Sequence, residues 1–286
     1  MRPLKCVTAA ALCALVSRPA GAQIASAPPN LQTPGWSFAV TPYAWLPTIW
    51  SEMTATGPRG GTVNTSIQAG IGDYISDINF AAMVGAAARY DRFSVLTDLV
   101  YTNLSLTTTT SHLSKVNLGP GPIYIPREVQ AGSGTRLSMA VWSLAGAYTL
   151  LQGDWGNLDA VAGMRMLAVD YTNNYYLNAD ILAPDRTIAL SRGGSLSVST
   201  TSFNAIGGVT GRINIPNSKI FLPFYADAGG GGVPLTWQAY AGLGYSAASW
   251  ADVSVGYRYL TFQNNSNAAV HNMSLGGVIF VANFRF

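Results

Sequence analysis

The chain has 286 residues, of which 49% are apolar and only 10% charged, with a formal net charge of +3. So sparse a charge leaves no basic footprint for nucleic acid. Both cysteines, Cys6 and Cys13, sit close to the N-terminus.

Residues 1–22 read as a secretory signal segment. Arg2 and Lys5 give a basic start, residues 6–16 an apolar core, and Ala20, Gly21 and Ala22 a small-residue cleavage site before Gln23. Cleavage there removes both cysteines, and with them disulfides, thiol nucleophiles and thiolate metal ligands. It also removes Arg2, Lys5 and Arg18, which brings the formal charge from +3 to zero. Downstream, no apolar run reaches the roughly 18 residues that a membrane helix needs. The longest, residues 80–88, contains a glycine. A chain half apolar, weakly charged and without such a run fits a barrel, in which apolar side chains occupy alternate positions. Residues 23–35, with Pro28, Pro29 and Pro34, form an extended periplasmic lead-in, and residues 36–286 form the barrel.

The first strand begins at Trp36 and puts Phe38, Val40, Ala44 and Leu46 on one face before Pro47 disturbs it. Residues 48–79 alternate poorly. They fit either a hairpin around residues 57–61 or strand extensions beyond the membrane, with residues 70–79 folding inward as a short helix or loop that narrows the lumen. From Phe80 the alternation is clean: Phe80, Ala82, Val84, Ala86, Ala88 and Tyr90 share one face, and Gly85, Ala87 and Arg89 the other. Asp91 and Arg92 make a two-residue turn, and Phe93, Val95, Thr97, Leu99 and Tyr101 start the return with Asp98 opposite.

Short turns at one end and long connections at the other are the barrel arrangement. The long connections fall at 112–133 and 176–194, both rich in Gly, Pro, Ser and Asn, and face the cell exterior. Strands follow at 136–151, 157–175, 196–215, 220–228, 237–245 and 251–262, with turns at 152–156 and 216–219 and an outer Gly-rich loop at 229–234. The fold class is all-β, an antiparallel up-and-down transmembrane barrel of about ten strands, or twelve if residues 48–79 add a hairpin. Aromatic residues gather near the short turns as a girdle of Trp36, Tyr90, Phe93, Trp155 and Trp250, with Phe286 beside them. Tyr101 and Tyr257 mark a second level about 25 Å away, the spacing of two bilayer interfaces.

Alternation turns eight charged strand residues inward: Arg89, Asp98, Asp159, Arg165, Arg212, Asp227, Asp252 and Arg258. Desolvated charges in a narrow barrel must be paired or reached by water. A balanced set therefore points either to an ion-pair network filling the lumen or to a constriction that selects small polar solutes. Catalytic arrangements are poorly supplied. His271 and Ser274 are three apart, which puts them on opposite faces of a strand, and His112 lies in a loop without an acidic neighbour. The glycines at 229–232 lack the Lys that follows a phosphate-binding loop. No catalytic residue, cofactor or metal site is assigned.

At the end of the chain, Phe280, Ala282, Phe284 and Phe286 alternate with Val281, Asn283 and Arg285. This aromatic-terminated strand resembles the last strand of Gram-negative outer-membrane β-barrels. The resemblance implies that Phe284 and Phe286 belong to the signal read by the barrel-insertion machinery, although Val281 stands where that pattern expects Gly. Residues 237–245 and 256–259, with residues 77–82, resemble a poorly characterised group of such barrels that offers no catalytic residues. The implied location is the bacterial outer membrane, in contact with its lipid and lipopolysaccharide. The expected function is a narrow porin-like channel or scaffold for small polar solutes. A surface-binding or adhesion barrel acting through its outer loops is the alternative, and a lipid-modifying enzyme the third reading.

Overall fold

The computed structural model describes residues 35–56, 62–112, 126–183, 186–264 and 270–286. The expected signal segment and nearly all of the lead-in fall outside them. Eleven strands follow in order: β1 (Trp36–Thr56), β2 (Thr62–Ala69), β3 (Ile78–Tyr90), β4 (Phe93–His112), β5 (Pro126–Gly153) and β6 (Gly156–Ala183), then β7 (Arg186–Asn214), β8 (Ile220–Gly231), β9 (Leu235–Ala248), β10 (Ala251–Gln263) and β11 (Val270–Arg285). Ten of them, all but β2, form a closed antiparallel ring in which β11 pairs back onto β1. The terminal residue completes this seam, since Phe286 and Phe38 exchange backbone hydrogen bonds of 2.9 and 3.2 Å. Strand β2 pairs only with the far end of β1, and helix α1 (Ile71–Tyr74) with a single 3-10 turn (Ile75–Asp77) carries the chain to β3. Residues 48–79 thus provide one hairpin and a short helix, and no further pair of barrel strands.

Tight turns set the strand order. Asp91 (φ 53°) and Asn217 (φ 57°) adopt the left-handed conformation that short polar side chains tolerate. Following the register once round the ring from Ser37, through Arg89, Ser94, Ala147, Val161, Gly208, Asp227, Gln238, Leu260 and Leu275, returns to β1 at Ile49. That twelve-residue stagger, Ser37 to Ile49, tilts the strands by about 35–45° and leaves a lumen that side chains nearly fill.

Alternation then sorts the faces. Trp36, Phe38, Val40, Val253, Val255, Tyr257 and Phe280 project outward and are exposed, while the residues between them are buried or half-buried. Closure pairs the sheet's two end strands with each other, so this apolar band can lie in hydrocarbon. The chain is a transmembrane β-barrel, and among the described residues no helix is long and apolar enough to cross a membrane.

The wall is tallest over β4–β7, and here the structure corrects two expectations. Strand β4 runs on to His112 and β5 begins at Pro126, so residues 126–133 are ladder and His112 ends a strand, while 113–125 lie outside the described residues. Likewise β6 and β7 stay paired from Gly156–Ile213 out to Ala183–Arg186, across the expected loop at 176–194. Polar composition suggested loops, but an antiparallel hairpin leaving the membrane needs only main-chain pairing and solvated side chains on both faces. The opposite wall is low: β8 and β9 join through three residues, and Gly229, Gly230 and Gly231 pair with β7. Those glycines are therefore strand, not loop. A Cβ on Gly229 would lie 1.8 Å from the Ala205 carbonyl oxygen.

Placing a charge at the centre of the apolar band tests the membrane-facing assignment. Val255→Arg is expected to destabilise the barrel by about 2–4 kcal/mol, measured by reversible urea unfolding in lipid vesicles.

Candidate functional site

The inward side chains divide the lumen by height. Near the short turns, Arg89 donates to Asp159 (2.7 Å) and to the Thr149 hydroxyl. Thr149 follows the inward alternation of Ala145 and Ala147, and an irregularity between Thr149 and Leu151 leaves Leu150 and Leu151 both facing out. Across the lumen, Asp252 accepts from Arg212 (3.3 Å) and Arg285 (2.6 Å). The Arg212 guanidinium lies 3.6 Å from the centre of the Phe221 ring, a cation–π contact. Gly244 makes room for that ring, because a Cβ there would stand 2.3 Å from it.

A second tier lies further up the strands. Arg258 donates to Asp98 (2.6 Å), to Gln238 (2.9 Å) and to the Tyr43 hydroxyl (2.9 Å), and Tyr43 donates to the other Asp98 oxygen (2.6 Å). Arg165 forms a close ion pair with Asp227 and reaches Thr236 (3.3 Å) and Ser143 (3.4 Å). Bulky neighbours fill the remainder: Trp45 lies 4.7 Å from the Arg258 guanidinium, and Tyr225 and Tyr240 are buried alongside. A cavity of about 30 Å³ remains between Thr41, Tyr43, Asp98, Tyr240 and Arg258. The eight charged residues expected in the lumen are all buried, with Arg165 at 0% exposure. They pair with one another across strands that are not sequence neighbours, as with Asp98 on β4 and Arg258 on β10. Arg285 joins them as a fifth arginine. Its alternation with Val281 and Asn283 marked it as inward-facing, but its place beside the chain end hid its role.

Above the second tier the lining turns apolar. Val100, Leu104, Val141, Met139, Leu260 and Leu275 are buried and inward-facing. Leu104 also lines a chamber of about 380 Å³ whose wall includes Leu137, Leu167, Val169, Phe262 and Met273. Hydroxyl and amide groups of Thr200, Thr201, Ser202 and Asn264 edge it. The short β8–β9 turn closes over one side: the Val233 amide donates to Asn204 Oδ1 (2.8 Å), which holds Val233 in the lumen. The single charged side chain in the described lining is Asp73. Sequence reading missed this chamber because one strand's inner positions look sparse. Only the ring brings Leu104, Val169, Val233 and Met273 together.

The girdle residues Trp36, Tyr90, Phe93, Trp155 and Trp250 are exposed on the outer face near the short turns, with Phe286 among them. Phe284 stacks against Trp250 at 6.1 Å. At the second level Phe80 meets Tyr101 (6.0 Å) and Trp237 meets Tyr259 (4.9 Å). The side chains of His112 and His271 lie outside the described residues, and the Ser274 hydroxyl bonds to Thr261 (2.8 Å). Among the described residues no cluster of His, Cys, Asp or Glu could hold a metal.

The pairs are uneven in consequence if broken. Asp227→Ala strands a fully buried guanidinium and is expected to cost about 3–5 kcal/mol. Arg165→Met combined with Asp227→Leu is expected to recover most of that loss, read as a double-mutant cycle on vesicle unfolding.

No family model matches the sequence, and no curated protein does. Among solved structures, the outer membrane protease OmpT of Escherichia coli is similar at 12% identity, covering 89% of this chain and 97% of that one, with a TM-score of 0.39. Ail, the attachment invasion locus protein of Yersinia pestis, crystallised with sucrose octasulfate, has 10% identity over 89% and 100% of the two chains, with a TM-score of 0.30. A Pseudomonas aeruginosa FadL homologue has 8% identity over 88% and 90%, with a TM-score of 0.27. Likeness this distant transfers no activity, and what stands on the chain's own geometry is a closed, ten-strand, transmembrane antiparallel β-barrel.

Proposed function

We propose that the protein is a bacterial outer-membrane barrel that holds a neutral, largely apolar small molecule in its upper lumen and is sealed below. The signal segment at residues 1–22, the short turns at one end and the tall hairpins at the other support an orientation with the tall end outside the cell. One observation carries the reading: the lumen is divided into buried ion pairs near the short turns and an apolar chamber above them.

A water-filled pore would keep its charged lining hydrated, since ions and polar solutes cross by exchanging water for such groups. Here the arginines and aspartates are buried and paired with one another, which favours the sealed scaffold over the open channel for small polar solutes. The chamber supplies the character of a ligand site, with concave apolar walls and a few polar groups at the edge. Its described lining contains Asp73 and no Lys, Arg or His. A carboxylate ligand would therefore meet a like charge with no base to answer it. An uncharged chain with a hydroxyl or similar head suits it better.

Two measurements test this. In planar bilayers the wild-type barrel is expected to give no stable single-channel steps, and reproducible steps would overturn the seal. A diazirine-bearing hexadecanol is expected to label Leu104, Leu137 or Val169 on irradiation, with the corresponding palmitic acid labelling several-fold less. Equal labelling by the acid would refute the neutral-ligand reading, and absence of any chamber labelling would refute the chamber.

A further inference from the structure

Resting on that reading, the structure assigns to this chamber a side entrance through the barrel wall, between β1 and β3, by which the ligand's hydrocarbon chain passes from the surrounding lipid. The β1–β3 ladder runs from Trp36–Tyr90 only as far as Pro42–Val84. On the same edge of β1, pairing resumes with β2 at Ile49–Ala69. Among the described residues, the six from Tyr43 to Thr48 have no strand partner on that edge, although all six stay paired with β11 on the other. Strand β3 begins at Ile78 and is held there by β4 alone.

An unzipped stretch inside hydrocarbon leaves main-chain groups without partners, at several kcal/mol each. This gap is furnished with substitutes that are not strands. The Trp45 amide is directed at Met83 Sδ (3.2 Å), and the Pro47 carbonyl accepts from the Tyr74 hydroxyl of α1. Two residues along from Trp45, Pro47 turns its nitrogen to the same edge, where it has no hydrogen to leave unbonded. Local side chains thus keep the gap open at little cost in lost hydrogen bonds.

A cavity of about 210 Å³ lies in this gap. Ala44 and Leu46, which project from the lipid face of β1, line it together with the inward Trp45, Val100, Leu104 and Met139, so it traverses the wall. It shares Ile49, Tyr74, Leu104 and Leu137 with the upper chamber, which makes the two spaces neighbours across the same side chains. Its described lining has no charged residue, and the exposed Leu46, Ile75 and Phe80 surround its outer side. Ala81, inward by alternation, is nonetheless exposed, as a residue beside an opening should be. Continuity with the lipid-facing surface and an uncharged lining select one occupant: a single neutral hydrocarbon chain.

The test separates the entrance from the chamber. The barrel is folded into vesicles, and diazirine-bearing hexadecanol is supplied either within the bilayer or from the aqueous side on a soluble carrier. Initial rates of labelling at Leu137 and Val169 are then read by mass spectrometry. Ala81→Trp obstructs the opening from inside, and Ala44→Trp covers it from the lipid side without touching the lumen. Unboiled gel mobility checks that each variant is folded. The expected result is a tenfold or greater fall in bilayer-supplied labelling in a folded variant, with carrier-supplied labelling of the chamber retained. If both folded variants label at the wild-type rate from the bilayer, the side entrance is overturned while the chamber stands. If the wild-type chamber labels from neither side, the ligand-holding reading itself fails.

Discussion

Buried ion pairing across the lumen is the constraint on which the rest of this barrel depends. Five arginines and four aspartates are buried there, and every guanidinium but that of Arg285 faces a carboxylate from a non-adjacent strand. A buried pair contributes little net stability against an apolar alternative, but losing one member strands the other at large cost. The pairs therefore act as registration pins. Asp98 on β4 can meet Arg258 on β10 only if every intervening strand holds its register. A slip of one residue would turn both to the lipid face.

The same network divides the lumen into two halves of different chemistry. Below, ionic groups and the rings of Phe221, Tyr225 and Tyr240 fill the cross-section; above, aliphatic side chains leave space. Gly242 and Gly244 belong to this economy of volume, since a Cβ on either would strike the Tyr240 hydroxyl or the Phe221 ring. The apolar half is also where the wall departs from a regular ladder. Pro47, Met83 and Tyr74 replace main-chain pairing there with side-chain contacts. The short helix that made residues 70–79 unreadable as strand supplies one of them.

Legibility followed the range of the physics involved. Alternation is local, so the faces of residues 80–101 and 251–262 and the turns at Asp91–Arg92 and Asn217 were visible in the sequence. Composition proved a poor guide beyond the membrane, because Ser, Thr, Asn and Gly are as compatible with a solvated ladder as with a loop. Hence β4–β7 extend well past where turn-forming residues suggested they would stop. The aliphatic chamber was missed because no strand contributes more than three of its residues.

By itself the sequence determined that the chain is a barrel, which side chains meet lipid, and which charges enter the lumen. Those properties are carried by a two-residue repeat along each strand. Only the closed tertiary structure decided how the charges pair, how high each stands, that the space above them is apolar, and that the wall opens between β1 and β3. These depend on a twelve-residue stagger accumulated over ten strands, and no local stretch of sequence contains that sum.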